Sequence, residues 1–343
     1  MKTPKLSVII PAYNASRTIE KCLLSLREQT FRDFEVLVVD DHSADNTGSI
    51  ALPWAQVVRA DRNLGVGGAR NLGARKAQGE ILVFTDADVV LPKDWLQNIV
   101  RDMETHRVVS VGGGYSGTLG NSFIENFAYL ELAYRRRNTP DFVHTLVANN
   151  FACTRQVFFE QGGFPEEFKC EDLRLSFKIS RKNRIYWDKQ NGVYHHFRPS
   201  LAGYLKQQYE FSKDTVWSYY TLPEMLFIKT HQGRQIYVDV LLTLLILLSL
   251  PFSWGFSLLF AGTLFLTNFH FLTYLRSEGH PAQAECQKQE AFGRQEGLAM
   301  LRSLLVIFLR SFVCVLGLLA GVALCIKDWV SKSSKLNPEQ KHP

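Results

Sequence analysis

Lysine and arginine nowhere gather into a long run in this 343-residue chain, although the formal net charge is +6. The basic residues are interleaved with acids, which argues against nucleic acid as a partner and leaves anionic lipid as the better counter-surface. The six cysteines (Cys22, Cys153, Cys170, Cys286, Cys314 and Cys325) contain no C-x-x-C pair. Neither a zinc framework nor a redox motif follows, and reduced structural thiols in a cytosolic setting fit best. No secretory leader is expected, because the apolar stretch Leu6 to Ile10 is too short and ends in Pro11. Internal repeats and low-complexity tracts are also missing. The glycine-rich stretch around Gly65, Gly67 and Gly68 lacks both the dinucleotide fingerprint and a following Gly-Lys-Ser/Thr.

What is present divides into two unlike parts. Up to about residue 230, strand-like and helix-like segments alternate. Leu6–Ile10, Phe34–Val39, Gln56–Arg59 and Glu80–Phe84 read as strands. Ser16 to Gln29 reads as a helix capped by Ser16, with Ile19, Cys22, Leu23 and Leu26 on one face, and Gly68 to Ala77 as another. This alternation predicts an α/β domain with a mixed, largely parallel sheet flanked by helices.

The remainder is apolar. Val240 to Leu275 carries no Asp, Glu, Lys or Arg. As one helix it would span ~54 Å, against a hydrocarbon core of ~30 Å. Pro251, Ser253 and Gly255 offer a break, so two short spans or a re-entrant hairpin are expected. A further tract runs from Ser311 to Ile326, with Arg310 placed to snorkel at its edge. Lys/Arg counts in the flanking segments do not separate two crossings from three, and three is the favoured number. Between the halves, Tyr204 to Arg234 interleaves aromatics with Lys206, Lys213, Lys229 and Arg234. It suits either a helix at the headgroup level or an amphipathic helix packed on the sheet. The expected division is therefore 1–203 α/β domain, 204–235 interfacial, 236–327 membrane and 328–343 polar tail.

Four clusters carry the chemistry. Thr85-Asp86-Ala87-Asp88 follows an apolar strand and places two carboxylates where a metal-bound diphosphate would need them. Val8 to Asn14 and Val38 to Ser43 are strands emptying into turns, the first with Tyr13 at its mouth and the second ending in Asp40-Asp41. Such loops suit a pocket where a base stacks on Tyr13 and a carboxylate accepts its imide N–H. Arg62 to Asn71 is a Gly-rich entry to a helix bearing Arg70, suited to phosphate. Finally, Glu171-Asp172 opens an amphipathic helix. Acids in a first turn serve either the helix dipole or, near a metal, general base catalysis.

In this order the segments resemble the family 2 nucleotide-sugar glycosyltransferases with a GT-A fold. The matching pieces are Ser7 to Asn14, Val38 to Ser43, Ala69-Arg70-Asn71 with Ala77 to Glu80, Asp86-Ala87-Asp88 and Glu171-Asp172, over roughly residues 5 to 215. The resemblance implies donor binding by Pro11, Tyr13, Asp40, Asp41, Arg70 and Asp86. It implies a divalent metal, Mn²⁺ or Mg²⁺, on Asp88 and Asp86. Asp172 would be the base with Glu171 beside it, and His195 would contact the diphosphate. The implied reaction is an inverting displacement at the anomeric carbon. Two departures matter. Arg174 stands where relatives often place a second acid, and Gln207 to Phe211 lacks the Arg-Trp of processive synthases, so single-sugar transfer is expected.

The expected protein is thus a multi-pass enzyme of a bacterial-type inner membrane with a cytoplasmic catalytic domain. It would move a sugar from a nucleotide-sugar donor to a lipid-linked or cell-envelope glycan. A polyprenyl-phosphate glycosyltransferase is the alternative within enzymes, and a non-catalytic nucleotide-binding membrane scaffold the alternative outside them.

Overall fold

The computed structural model describes residues 3–166, 170–227, 235–278 and 289–335. Lys169, Arg234, Cys286 and the end of the polar tail lie outside the described residues. The chain opens with β1 (Leu6–Ala12), α1 (Ile19–Arg27), β2 (Phe34–Asp40), α2 (Thr47–Ala51), β3 (Gln56–Arg59), α3 (Gly65–Lys76) and β4 (Ile81–Phe84). Next come β5 (Val89–Val90), α4 (Trp95–His106), β6 (Ser110–Thr118), α5 (Phe123–Arg136), β7 (Phe142–Val143), β8 (Phe151–Thr154) and α6 (Arg155–Glu160). The remainder holds α7 (Glu171–Ser180), β9 (Ile185–His195), α8 (Leu201–Thr221), α9 (Gln235–Ser249), α10 (Trp254–Glu278) and α11 (Gln289–Lys335).

The chain divides into two compact units, the first comprising Met1–Asn121, Arg135–Phe197 and Lys229–His231. It is built on one mixed sheet ordered β3-β2-β1-β4-β8-β6-β9-β5, with β7 on β9. The longer ladders are parallel: β1 with β2 and β4, β2 with β3, and β6 with β9. β8 joins the two parallel halves antiparallel to both β4 and β6. Every residue of β1 is buried because both its edges are paired and both its faces covered. The two-residue period of a strand divides its side chains. Val8 and Ile10 pack with Leu23 and Leu26 of α1 and Trp95 of α4, while Ile9 faces Ala74 of α3 and Leu175 of α7. A Cβ on Gly73 would lie 2.5 Å from Ile9 Cγ2, so glycine lets α3 lie close on the sheet.

Some boundaries differ from expectation. α1 begins at Ile19 rather than Ser16, with Thr18 at the N-cap position and no side-chain cap, while the Ser16 N–H donates to the Asp45 carboxylate in the neighbouring loop. α3 begins at Gly65, where a left-handed glycine at φ 73° starts the turn.

The second unit comprises Ser122–Tyr134, Arg198–Ile228 and Gln232–Pro343. The expected break falls between α9 and α10, at residues 250–253 around Pro251. Two stretches, Trp254–Leu275 and Met300–Ser331, are long and apolar enough to cross a membrane; Val238–Ser249 is shorter. Exposed Phe252, Trp254, Leu258, Leu266, Leu319 and Trp329 give these helices a large apolar surface. Arg310 does not snorkel. It is 2% exposed and ion-paired with Glu131 of α5 and, at 2.5 Å, with Asp239 of α9. Tyr204 of α8 donates its hydroxyl to Glu131, and Asn268 of α10 donates an amide N–H to Asp239, both at 2.8 Å. The carboxylates hold the guanidinium inside because a buried ion must be paired and hydrogen-bonded. α11 also contacts α8 through Gly317 and Gly321. A Cβ there would lie 2.5 Å and 2.6 Å from the carbonyl oxygens of Tyr209 and Lys213.

Candidate active site

The expected donor residues lie at the C-terminal ends of neighbouring strands, where loops of an open α/β sheet form a crevice. Pro11 is buried inside β1 opposite Val39 of β2, and fixes the path of the strand just before it turns. Tyr13 projects from that turn, 56% exposed. Asn14 and His42 adopt left-handed φ angles of 50° and 63°, which reverse the chain sharply after β1 and β2. Each loop holds the other: Asn14 N–H donates to Ser43 Oγ, and Ala44 N–H to Asn14 Oδ1. Asp40 is buried and accepts the Ser43 N–H. Asp41 accepts the N–H of Leu64 at 2.7 Å, tying it to the entrance of α3. Burial raises the Asp41 carboxyl above its ordinary range, with the Leu64 and Gly65 N–H groups opposing the rise.

A second group forms around Arg70. The helix α3 turns Arg70 inward, 3% exposed, where one nitrogen donates to Asp86 and another to Glu171, each at 2.6 Å. Its guanidinium also stacks over the Phe164 ring at 5.4 Å. Glycine at 67 is required for this approach, since a Cβ there would lie 2.7 Å from the Pro165 carbonyl oxygen. Glu171 and Asp172 occupy the first turn of α7 as expected. Asp172 is not paired with Arg70. Its Oδ2 accepts the Ala148 N–H at 3.1 Å and its Oδ1 the Leu173 N–H at 2.7 Å. Burial raises both carboxyls, and Arg70 pulls both back. A carboxylate moved toward neutral pH is better matched to taking a proton.

A third group lies beyond β4. Asp86, Asp88 and His195, from the end of β9, each offer a ligand atom, and these atoms lie within 4.8 Å of one another. His195 Nε2 is 3.4 Å from Asp88 Oδ1, and the two segments pair through the β5–β9 bridge and the His196 N–H to the Asp88 carbonyl. His195 Nδ1 is buried without a hydrogen-bond partner. Two carboxylates suit a hard divalent cation and an imidazole a borderline one, so the donor set fits Mn²⁺ or Mg²⁺. His195 thus joins the acidic pair, closer to it than a bare diphosphate contact requires.

Sequence reading missed three residues here. Tyr115 of β6 lies with its ring 5.5 Å from His195, its hydroxyl accepts an amide N–H from Asn149 at 2.9 Å, and Arg136 stacks on its face at 5.5 Å. None belongs to a local motif. Only strand register and the fold bring residues 115, 136 and 149 beside Asp172 and His195.

Residues 7–161 match the family model described as glycosyl transferase family 2. This segment belongs to that family. The family 2 domain is 26% identical over 211 residues to the GalNAc(5)-diNAcBac-PP-undecaprenol beta-1,3-glucosyltransferase of Campylobacter jejuni, covering 57% of this chain and 66% of the relative. It is 30% identical over 220 residues to glycosyltransferase GlyA of Streptococcus pneumoniae, covering 58% of this chain and 31% of the relative. The chain therefore spans from under a third to just under two thirds of these curated relatives. A solved mannosyltransferase from Pyrobaculum calidifontis, in complex with GDP-Man and Mn²⁺, superposes with a TM-score of 0.57 at 19% identity. The match covers 93% of this chain and 88% of that one, and the shared fold is GT-A.

Proposed function

We propose that this chain is a membrane-associated, metal-dependent glycosyltransferase that moves one sugar, with inversion, from a nucleotide-sugar to a lipid-linked or envelope glycan. The observation that carries this reading is the meeting of Asp86, Asp88 and His195 at the edge of a family 2 sheet. The N-terminal loops support the donor assignment. Tyr13 offers an exposed ring for the base, and Asp41 a carboxylate already set against α3. Asp88, Asp86 and His195 would hold the cation, with Arg70 fixing the rotamer of Asp86. When bound, a divalent cation neutralises charge building on the departing nucleoside diphosphate.

Asp172 accepts the proton of the attacking acceptor hydroxyl. The oxygen bonds the anomeric carbon as the sugar–phosphate bond breaks, and the electron pair leaves with the diphosphate. Backbone N–H groups from Ala148 and Leu173 orient the Asp172 carboxylate for this task. Membrane association is supported by the two apolar helices, and the acceptor class by the name of the Campylobacter relative.

Asp88→Asn tests the reading, because it removes a hard-cation charge and leaves the volume unchanged. Titrating UDP and GDP in the presence of Mn²⁺ should give saturable binding in the wild type and at least ~10-fold weaker binding in the variant. Equal affinity and equal turnover in the two proteins would remove Asp88 from the site. No nucleotide binding in either would favour a role other than transfer.

A further inference from the structure

Arg136 makes no ion pair among the described residues. It is 8% exposed, and its contacts are the faces of two rings, Tyr115 at 5.5 Å and Trp187 at 5.2 Å. Its Nε and Nη1 are sealed without a hydrogen-bond partner, which leaves Nη2 as the nitrogen able to meet a ligand. Every other buried arginine of the described residues with a named ion pair, Arg70 and Arg310, faces two carboxylates. Burying a guanidinium with no counter-ion is costly, and two cation–π contacts offset only part of that cost. An arginine kept so is poised for an anion that arrives from outside.

The surroundings say where that anion sits. Tyr115 carries Arg136 on its face, takes a hydrogen bond from Asn149, and has its ring beside His195. Asn149 follows Ala148, whose N–H holds Asp172. Asp172 is also the carboxylate whose field acts on Arg136. Arg136 therefore lies on the Asp172 side of the site, away from the loops of Tyr13 and Asp41.

We propose that Arg136, with Tyr115 and Asn149, binds an anionic group of the acceptor, a phosphate or a carboxylate carried near the hydroxyl that is glycosylated. This rests on the reading of Asp172 as the base. The open Nη2 offers either oxyanion a charge-assisted N–H bond, and the two rings hold the guanidinium in place as they would not hold a lysine. The anion holds the acceptor so that its hydroxyl, not its charge, meets Asp172.

The test uses the full chain in detergent with the donor site filled by Mn²⁺ and whichever of UDP or GDP binds. Inorganic phosphate and acetate are titrated separately into this complex and followed by calorimetry. Saturable binding of one of them is expected, and tells a phosphate-bearing acceptor from a carboxylate-bearing one. Arg136→Met should weaken that binding at least ~10-fold, Arg136→Lys less, with nucleotide affinity unchanged in both. Sodium chloride at matched ionic strength separates a site from screening effects. Wild-type protein that binds nucleotide but no oxyanion overturns the anion site and leaves the glycosyltransferase reading standing. Oxyanion binding unaltered by Arg136→Met overturns it too, and loss of nucleotide binding in Arg136→Met assigns the residue to the donor or to the fold. Wild-type protein that binds no nucleotide fails the earlier reading instead.

Discussion

Asp172 accepts two backbone N–H groups yet is pushed upward by burial, so its environment balances orientation against basicity. Asp172→Asn should keep nucleotide affinity near wild type while transfer falls by ~10²-fold or more. Parallel losses in binding and turnover would make Asp172 a donor ligand or a structural residue. The pH profile follows from the direction of the shift. A base works deprotonated, so transfer should rise with pH, and its acid limb should lie above the ~3.9 of an ordinary aspartate. A limb in the ordinary range, read from kcat/KM against pH, would contradict a buried base. At this scale the sequence announced Asp86, Asp88, Glu171 and Asp172, because each sits at a strand end or helix start with a recognisable neighbour. It did not announce Arg136. Its significance comes from what it lacks, an ion pair, and only packed coordinates reveal that.

Between elements, the link of α4 to β9 contains a shifted carboxyl, Asp102, away from the site. Asp102 is buried, and burial together with Asp188 raises its carboxyl to about 6, opposed by Arg101, which bridges both acids. A carboxyl with a folded pKa above its unfolded value costs stability once both states are ionised, and the cost is relieved as pH falls through the folded pKa. Asp102→Asn, whose amide can donate to Asp188, should therefore raise Tm by about a few degrees near pH 8, with the gain gone near pH 4. A Tm difference independent of pH would remove the shared proton. The seam between α8 and α11 yields another prediction. Gly317→Leu should destabilise by at least ~1–3 kcal/mol through overpacking against Tyr209. Gly262→Leu on α10, where a Cβ meets nothing within 4 Å, should not. Equal unfolding temperatures in the two variants would mean that α8 does not rest on α11. Elements themselves were largely legible, since strand alternation and the Pro251 break are local. The start of α1 was not, because Ser16 is tied by its N–H to Asp45 of another loop, a long-range contact that leaves the helix to begin at Ile19.

On the scale of the whole chain, composition separated an α/β part from an apolar part, and the apolar part was expected to begin near residue 236. The compact units divide differently: α5 residues up to Tyr134 and all of α8 group with the apolar helices. Hydropathy could not show this, because α5 is joined by Phe127 and Tyr134, which pack on rings of α8 and α10, and by Glu131, whose partner Arg310 lies far along the sequence. Arg310→Met should cost ~3–5 kcal/mol by taking the guanidinium away from two buried carboxylates, the usual result of removing one side of a buried pair. Adding Glu131→Gln and Asp239→Asn to that variant should restore much of the loss. Thermal unfolding in detergent measures both, and an Arg310→Met protein as stable as wild type would show that water reaches the cluster.

The same ion cluster has a consequence for how the molecule is made. A ribosome delivers Glu131 first and Asp239 well after it, and the guanidinium that neutralises them comes last, on α11. Until then each carboxylate is a charge without its mate in a segment otherwise ready to be buried. The family 2 sheet, whose strands end at His195, is complete in sequence long before this moment and can fold as synthesis proceeds. The helical unit must wait for its final element, and its closing contact joins segments far apart along the chain, the kind that forms late. Arg310 thus acts as a proof of completion. A nascent chain released early would carry a finished sheet beside two stranded acids, a state that membrane quality control can distinguish from the finished protein by charge alone.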